Sequence, residues 1–359
     1  MLNSLKTDRV SNVQDGLANA AREPVEVNRD KCRDLSLLLR SQYIPLDKED
    51  ASLNGFSRRQ VGNFYFFLVA ICHQTSPRGK PPLAGTVNGV HKRGWDYLSA
   101  KLEAAVRSNP DLLTAARWAR ITDEEFCDFF KDPQLGDRLT ERANRAALVR
   151  NLGEVMLQKG WGSVEEIYRA CNTRITSGQP NLIDELAEFK AYRDPVRKKS
   201  YFFLSLMRNA GLWHYIDNET LGPPVDYHEV RGHLRLGTVI VNDDALKQKL
   251  LQNLPVTSDE DIAIRRSVHD AIILISEMTG LRNPSQLHYL FWNVFRSCCS
   301  RSSQHCDGCP PDCALPERYV HLAVHSDGQR RCPFSDICAK TCGSAHQQYY
   351  EHRFHTDYY

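Results

Sequence analysis

Pro223-Pro224-Val225-Asp226-Tyr227-His228-Glu229-Val230-Arg231-Gly232-His233-Leu234-Arg235-Leu236-Gly237 is the stretch on which the reading of the fold turns. The two prolines hold the chain extended, so it reaches Asp226 in a non-helical conformation. Beyond it, the His and Arg spacings suit a helix that carries Asp226 at its N-terminus. Such an aspartate can be a plain N-cap, accepting hydrogen bonds from otherwise orphaned amides, or a carboxylate that the helix end presents to a site. The residues alone leave both open.

Outward from this stretch the pattern is mainly α. Phe64, Phe67, Leu68 and Ile71 recur at helical spacing and predict a buried helix with a polar tip at His73-Gln74-Thr75-Ser76-Pro77, followed by a Gly/Pro-rich loop to Gly94. Helices are predicted over Trp95 to Ser108, from a Thr122 start, over Leu139 to Lys159, from a Ser163 start, and over Ile183 to Lys190. Another runs from Asp261 to Glu277, with Ile264, Val268, Ile272 and Ile275 on one face. The one good strand signal is Thr238 to Val241, and residues 1–55 read as a polar leader plus one helix.

The 359 residues, 42% hydrophobic, suffice for a sizeable core. Forty-six Lys and Arg against 44 Asp and Glu leave a net charge of +2, so any nucleic-acid contact must be a local patch. The N-terminal stretch lacks an apolar signal core, and no run of about 18 uncharged apolar residues occurs, which predicts a cytoplasmic protein without a membrane partner. There its twelve cysteines would be reduced. Cys298, Cys299, Cys306, Cys309, Cys313, Cys332, Cys338 and Cys342 crowd near the C-terminus, a pattern that reads as metal binding before disulfides. The C-x2-C spacing of Cys306 and Cys309 suits an iron-sulfur cluster or an all-thiolate zinc site.

Four segments, in order, resemble the helix-hairpin-helix DNA glycosylase superfamily of endonuclease III and the archaeal 8-oxoguanine glycosylases. They are Leu68 to Thr75, Arg193-Asp194-Pro195 to Ser200, the Asp226 stretch, and Arg296-x2-Cys299-x6-Cys306-x2-Cys309 with Cys332-Pro333-x4-Cys338. Residues 190–200 contain no glycine, unlike the usual hairpin. The resemblance implies a mainly α, two-lobed helical DNA-glycosylase-like fold with a C-terminal cysteine-rich metal loop. It would comprise a 1–55 extension, a 56–295 domain with the site between its lobes, a 296–345 loop and a 346–359 tail.

It further implies that Asp226 is catalytic and that Lys199 is the nucleophile of a lyase. His73, Gln74, His228 and Arg231 would contact substrate, and Arg301 a phosphate. Cys299, Cys306, Cys309, Cys332 and Cys338 would supply the ligands of a [4Fe-4S] cluster, with zinc as the alternative. The function expected is an N-glycosylase acting on a damaged or modified base in DNA, with DNA repair as its setting.

Asn63 to Phe67, Gly94-Trp95-Asp96-Tyr97-Leu98, Gly160-Trp161-Gly162-Ser163, Tyr192-Arg193-Asp194 and Val225-Asp226-Tyr227 are also similar to the queuosine salvage proteins. That resemblance implies hydrolysis of queuosine 5′-phosphate, a free modified nucleotide, by the same carboxylate. A non-catalytic, metal-stapled nucleic-acid-binding protein, with Asp226 only a cap, is the third reading.

Overall fold

A computed structural model of the chain describes residues 23–45, 53–77, 79–281, 283–301, 304–338 and 349–359. It is mainly helical. In chain order the elements are β1 (Val25–Val27), α1 (Arg29–Arg40), α2 (Arg58–Ala70), β2 (Ala84–Val87), β3 (Val90–Arg93), α3 (Gly94–Ser108), α4 (Ala115–Trp118), α5 (Asp123–Phe130) and α6 (Arg142–Gln158). There follow α7 (Val164–Ala170), α8 (Leu182–Ala187), α9 (Lys198–Asn209), α10 (Tyr227–Leu236), β4 (Val239–Val241), α11 (Asp244–Leu251), α12 (Ser258–Thr279), α13 (Pro284–Ser297) and α14 (Glu317–Val320).

Local chemistry sets most of these starts. Thr122 caps α5 by accepting from the Glu125 amide, and Ser163 with Glu166 forms a capping box at α7. Thr257 and Glu260 do the same for α12, which begins three residues before Asp261, the start expected from its apolar face. Helix α6 starts at Arg142 rather than Leu139 because Glu141 takes a left-handed φ of 54°. The loop expected before Gly94 is in part a hairpin. Asn88 and Gly89, at φ 51° and 78°, join paired Val87 and Val90, the geometry for which Asn-Gly is favoured.

Two hydrophobic cores form. The first gathers α2 to α9, with Phe66 stacked on Tyr192 at 4.9 Å and edge-on to Phe189 at 5.0 Å. The second gathers α1 and α10 to α13. It also takes in residues that the sequence assigns to an N-terminal extension. Strand β1 pairs antiparallel with β4, Val25 opposite Val241, and Cys32, Leu35, Leu39 and Ile44 are buried there. The leader expected before residue 23 lies outside the described residues.

Buried polar groups tie the cores together. Arg265 of α12 donates from Nη1 and Nη2 to the two carboxylate oxygens of Asp194, each at 2.8 Å, and also to Asp261. All three side chains are almost fully buried, so the bidentate geometry and the second carboxylate compensate the desolvation of the guanidinium. At Gly232, helices α10 and α13 approach so closely that a Cβ would lie 2.1 Å from the Phe295 ring.

Candidate active site

Asp226 is the N-cap of α10, with the extended backbone usual for that position. Its Oδ1 accepts from the His228 amide at 2.7 Å and the Glu229 amide at 3.4 Å. Its Oδ2 accepts from the indole Nε1 of Trp292 at 2.9 Å. Cap and presented carboxylate are therefore the same residue: the helix end immobilises one oxygen and α13 orients the other. The side chain is only partly buried. A helix N-terminus also favours negative charge at this position.

The neighbours of Asp226 are electrostatically sorted. Glu229 closes the capping box, accepting from the Asp226 amide at 3.1 Å, and its Oε1 meets His288 Nδ1 at 2.8 Å. Burial, reinforced by Asp226, holds the Glu229 carboxyl well above its ordinary range. Burial and the adjacent Arg231 hold His228 well below its ordinary value, so it is neutral. Because Arg231 Nη2 can only donate, His228 Nδ1 is the acceptor at 2.9 Å and its proton sits on Nε2. Burial and Asp226 push the Tyr227 phenol up to about 12.

Half-buried aromatic rings and cations line this side of both cores. Trp95 packs edge-on against Phe202 at 4.9 Å, and the Lys198 ammonium lies 5.0 Å over the Phe202 ring. The Arg296 guanidinium stacks 4.2 Å over Trp292, within electrostatic reach of Asp96 and Asp226, and Arg301 lies over Tyr227 at 5.1 Å. The roles of Trp95, Phe202, Trp292 and Arg296 were not read from the sequence. The signal for α13 was there: Asn283 caps it, Pro284 opens it, and Leu287, Leu290, Phe291 and Val294 mark a helical face.

The other expected site residues occupy distinct positions. Lys199 is fully buried, and its Nζ donates to Ala70 O at 2.6 Å and meets His73 Nδ1 at 3.3 Å. Together with Arg145, which donates to Ile71 O and, at 2.6 Å, to His73 O, it satisfies carbonyls at the end of α2. Burial brings the Lys199 amine down to about 7, and no hydrogen bond joins it to Asp226 among the described residues. His73 is buried and neutral, with Nε2 unpartnered.

Gln74 donates to His355 Nδ1 at 3.1 Å and Thr356 O at 3.0 Å, so its amide is engaged by the C-terminal tail. Arg231, 1% exposed, directs its donors to Cys299 O, Phe295 O, His228 and the Glu351 carboxylate at 2.8 Å. It is a brace between α10, the cysteine loop and the tail. That tail also reaches Asn144 through Asp357 at 2.7 Å and Asp261 through His352 at 2.6 Å, so residues 351–359 strap the two cores together beside the site.

The cysteines divide. The sulfurs of Cys298, Cys309 and Cys313 all lie within 4.8 Å of one another. Cys309, expected beside Cys299 and Cys306, belongs to this group. Cys332 is raised well above its ordinary value by burial, and also by Cys299, Cys306 and Cys338 nearby. The buried Arg235 donates to Cys299 Sγ at 3.3 Å, and its carbonyl accepts from Cys338 Sγ at 3.4 Å. No carboxylate pairs with this guanidinium among the described residues, so thiolate charge would balance it, as a metal-bound donor set requires. Thiolates are the donors that iron-sulfur clusters and zinc take.

No helix among the described residues is long and apolar enough to cross a membrane. A family model described as queuosine salvage protein matches residues 63–279, more than half of the chain, spanning α2 to α12 and including Asp226. No curated protein matches the chain.

Proposed function

We propose, from the premise that this chain belongs to the queuosine salvage protein family, that it hydrolyses the N-glycosidic bond of queuosine 5′-phosphate and releases the modified base. The observation that carries the proposal is Asp226, fixed at the head of α10 by amides and by Trp292, inside the matched segment and among half-buried aromatic rings. The family match favours a free modified nucleotide over DNA, and the net charge of +2 agrees with it.

Flat rings suit a purine-like base, and the proposal places it between the Trp95–Phe202 pair and Trp292. Arg296, exposed above Trp292, takes the phosphate. As the bond from C1′ to the base nitrogen breaks, its electron pair leaves with the base and positive charge grows on the sugar. The Asp226 carboxylate stabilises that charge. A water then adds its oxygen to C1′ and gives up a proton to Asp226, while the base takes one from solvent.

Lys199 is a positioning residue in this scheme, because its amine is held on the end of α2. Strand cleavage through a Schiff base is not part of the reaction. Cys299, Cys306, Cys332 and Cys338 would hold a [4Fe-4S] cluster, without the Cys309 that the loop spacing would include. When bound, the cluster would contribute folding stability and no reaction step.

The test is incubation with queuosine 5′-phosphate and, separately, with duplex DNA carrying modified bases, scoring free base. Release from the nucleotide, lost in Asp226→Asn, is expected. Release from DNA alone overturns the proposal.

A further inference from the structure

We infer that Cys298, Cys309 and Cys313 form a mononuclear centre for a thiophilic divalent ion of the zinc type, beside the thiols around Cys332. The geometry carries the inference. Three thiolates bound to one zinc at about 2.3 Å in a tetrahedral array sit about 3.8 Å apart, compatible with sulfurs that all lie within 4.8 Å before any ion draws them in. A four-iron cluster holds its cysteine sulfurs further apart, because the whole metal-sulfide core lies between them.

The three ligands come from backbone that is already fixed. Cys298 is the C-cap of α13, fully buried, its amide bonded to Val294 O at 2.7 Å. The Cys309 amide donates to Arg330 O at 2.7 Å, and the Cys313 amide closes the Pro310-Pro311-Asp312-Cys313 turn on Pro310 O at 3.1 Å. Cys298 and Cys299 are consecutive at the end of a helix, and the Cys332 thiol lies within electrostatic reach of both. In binding, each thiol loses its proton to solvent as its sulfur bonds the ion, and no electrons are exchanged. Solvent completes the tetrahedron.

The position matters for the site because α13 also carries Trp292 and Arg296. An ion on Cys298 would pin the end of the helix that holds the indole against Asp226.

The test is metal content of the full chain, which is independent of its activity. Zinc by mass spectrometry is expected at one equivalent more in the unaltered protein than in Cys313→Ser, with iron unchanged. Cys299→Ser should behave oppositely, losing any iron while keeping that zinc. Replacement by Co(II) should give an intense thiolate-to-cobalt band that disappears in Cys309→Ser. Circular dichroism of Cys313→Ser, altered at a half-exposed position, checks that the fold is retained. Equal zinc in Cys313→Ser and the unaltered protein, iron loss in Cys313→Ser, or folded protein without a thiolate-to-cobalt band would each overturn the inference.

Discussion

The indole Nε1 of Trp292 donates to Oδ2 of Asp226 at 2.9 Å, joining the head of α10 to the middle of α13. One oxygen of the carboxylate is thereby set by the helix it caps and the other by a helix more than sixty residues later. The direction in which the carboxylate faces a sugar is a tertiary property.

Asp226→Asn should lower kcat for base release by about a thousandfold, about 4 kcal/mol, with little change in nucleotide affinity, because shape is kept and charge is lost. Trp292→Phe keeps the ring and removes one donor. A loss of about tenfold is expected, corresponding to about 1.4 kcal/mol. Single-turnover assays and equilibrium dialysis separate the two effects. Unchanged kcat in Asp226→Asn would assign the chemistry to another acid.

Lys199→Met should destabilise the fold by about 1–3 kcal/mol, because the Ala70 carbonyl loses a buried donor. The pH dependence has a definite sign. The folded amine titrates near 7 and the unfolded one near 10.4, so between these values the unfolded chain binds more protons. The contribution of Lys199 therefore improves as pH rises through that window, by about 1.4 kcal/mol per unit, and is flat below pH 7. Urea midpoints of the two proteins at pH 7 and pH 9 should show the unaltered protein gaining on the variant. Borohydride should trap no adduct at Lys199.

Gly232→Ala should cost about 1–3 kcal/mol through overpacking, since its Cβ would fall 2.1 Å from the Phe295 ring. A shift of α13 that relieves the strain would displace Trp292. A loss of kcat together with a lower melting temperature is the expected pair. A lower melting temperature with full activity would separate the packing of α13 from catalysis.

Acid should unfold the protein over a window set by buried histidines. Burial holds His73 and His228 well below their ordinary value, and His233 falls to about 3. Each is neutral in the fold but takes a proton near pH 6.5 when unfolded, so its contribution is present above 6.5 and is lost as pH falls. Glu229, whose carboxyl is raised in the fold, has the opposite slope above pH 4.5 and works against the histidines. His233→Leu should make denaturant midpoints between pH 6.5 and pH 4.5 less pH-dependent. An unchanged slope would move the acid sensitivity elsewhere.

The helical core was legible where side-chain period and cap coincide. The Thr122 and Ser163 starts, the face of Ile264, Val268, Ile272 and Ile275, and the strand at Val239 all announce themselves within a few residues. The Asn88-Gly89 hairpin and α13 carry equally local signals. The Lys199 position illustrates a different difficulty. A lysine before a serine at a helix start has the same appearance whether its amine faces substrate or a neighbouring helix end. The α2 carbonyls that receive it lie 129 residues earlier in the chain.

What the sequence determined by itself was therefore the helices, the cap at Asp226 and a thiol-rich tail, because propensity, capping and composition act over a few neighbouring residues. Tertiary structure decided the rest. It brought Trp292 to Asp226, turned Arg231 inward to Glu351, paired Val25 with Val241, and sent Cys309 to Cys298 instead of Cys299. Each of these depends on side-chain direction and burial between segments distant in the chain, where one residue of rotation along a helix changes the partner and local spacing carries no record of it.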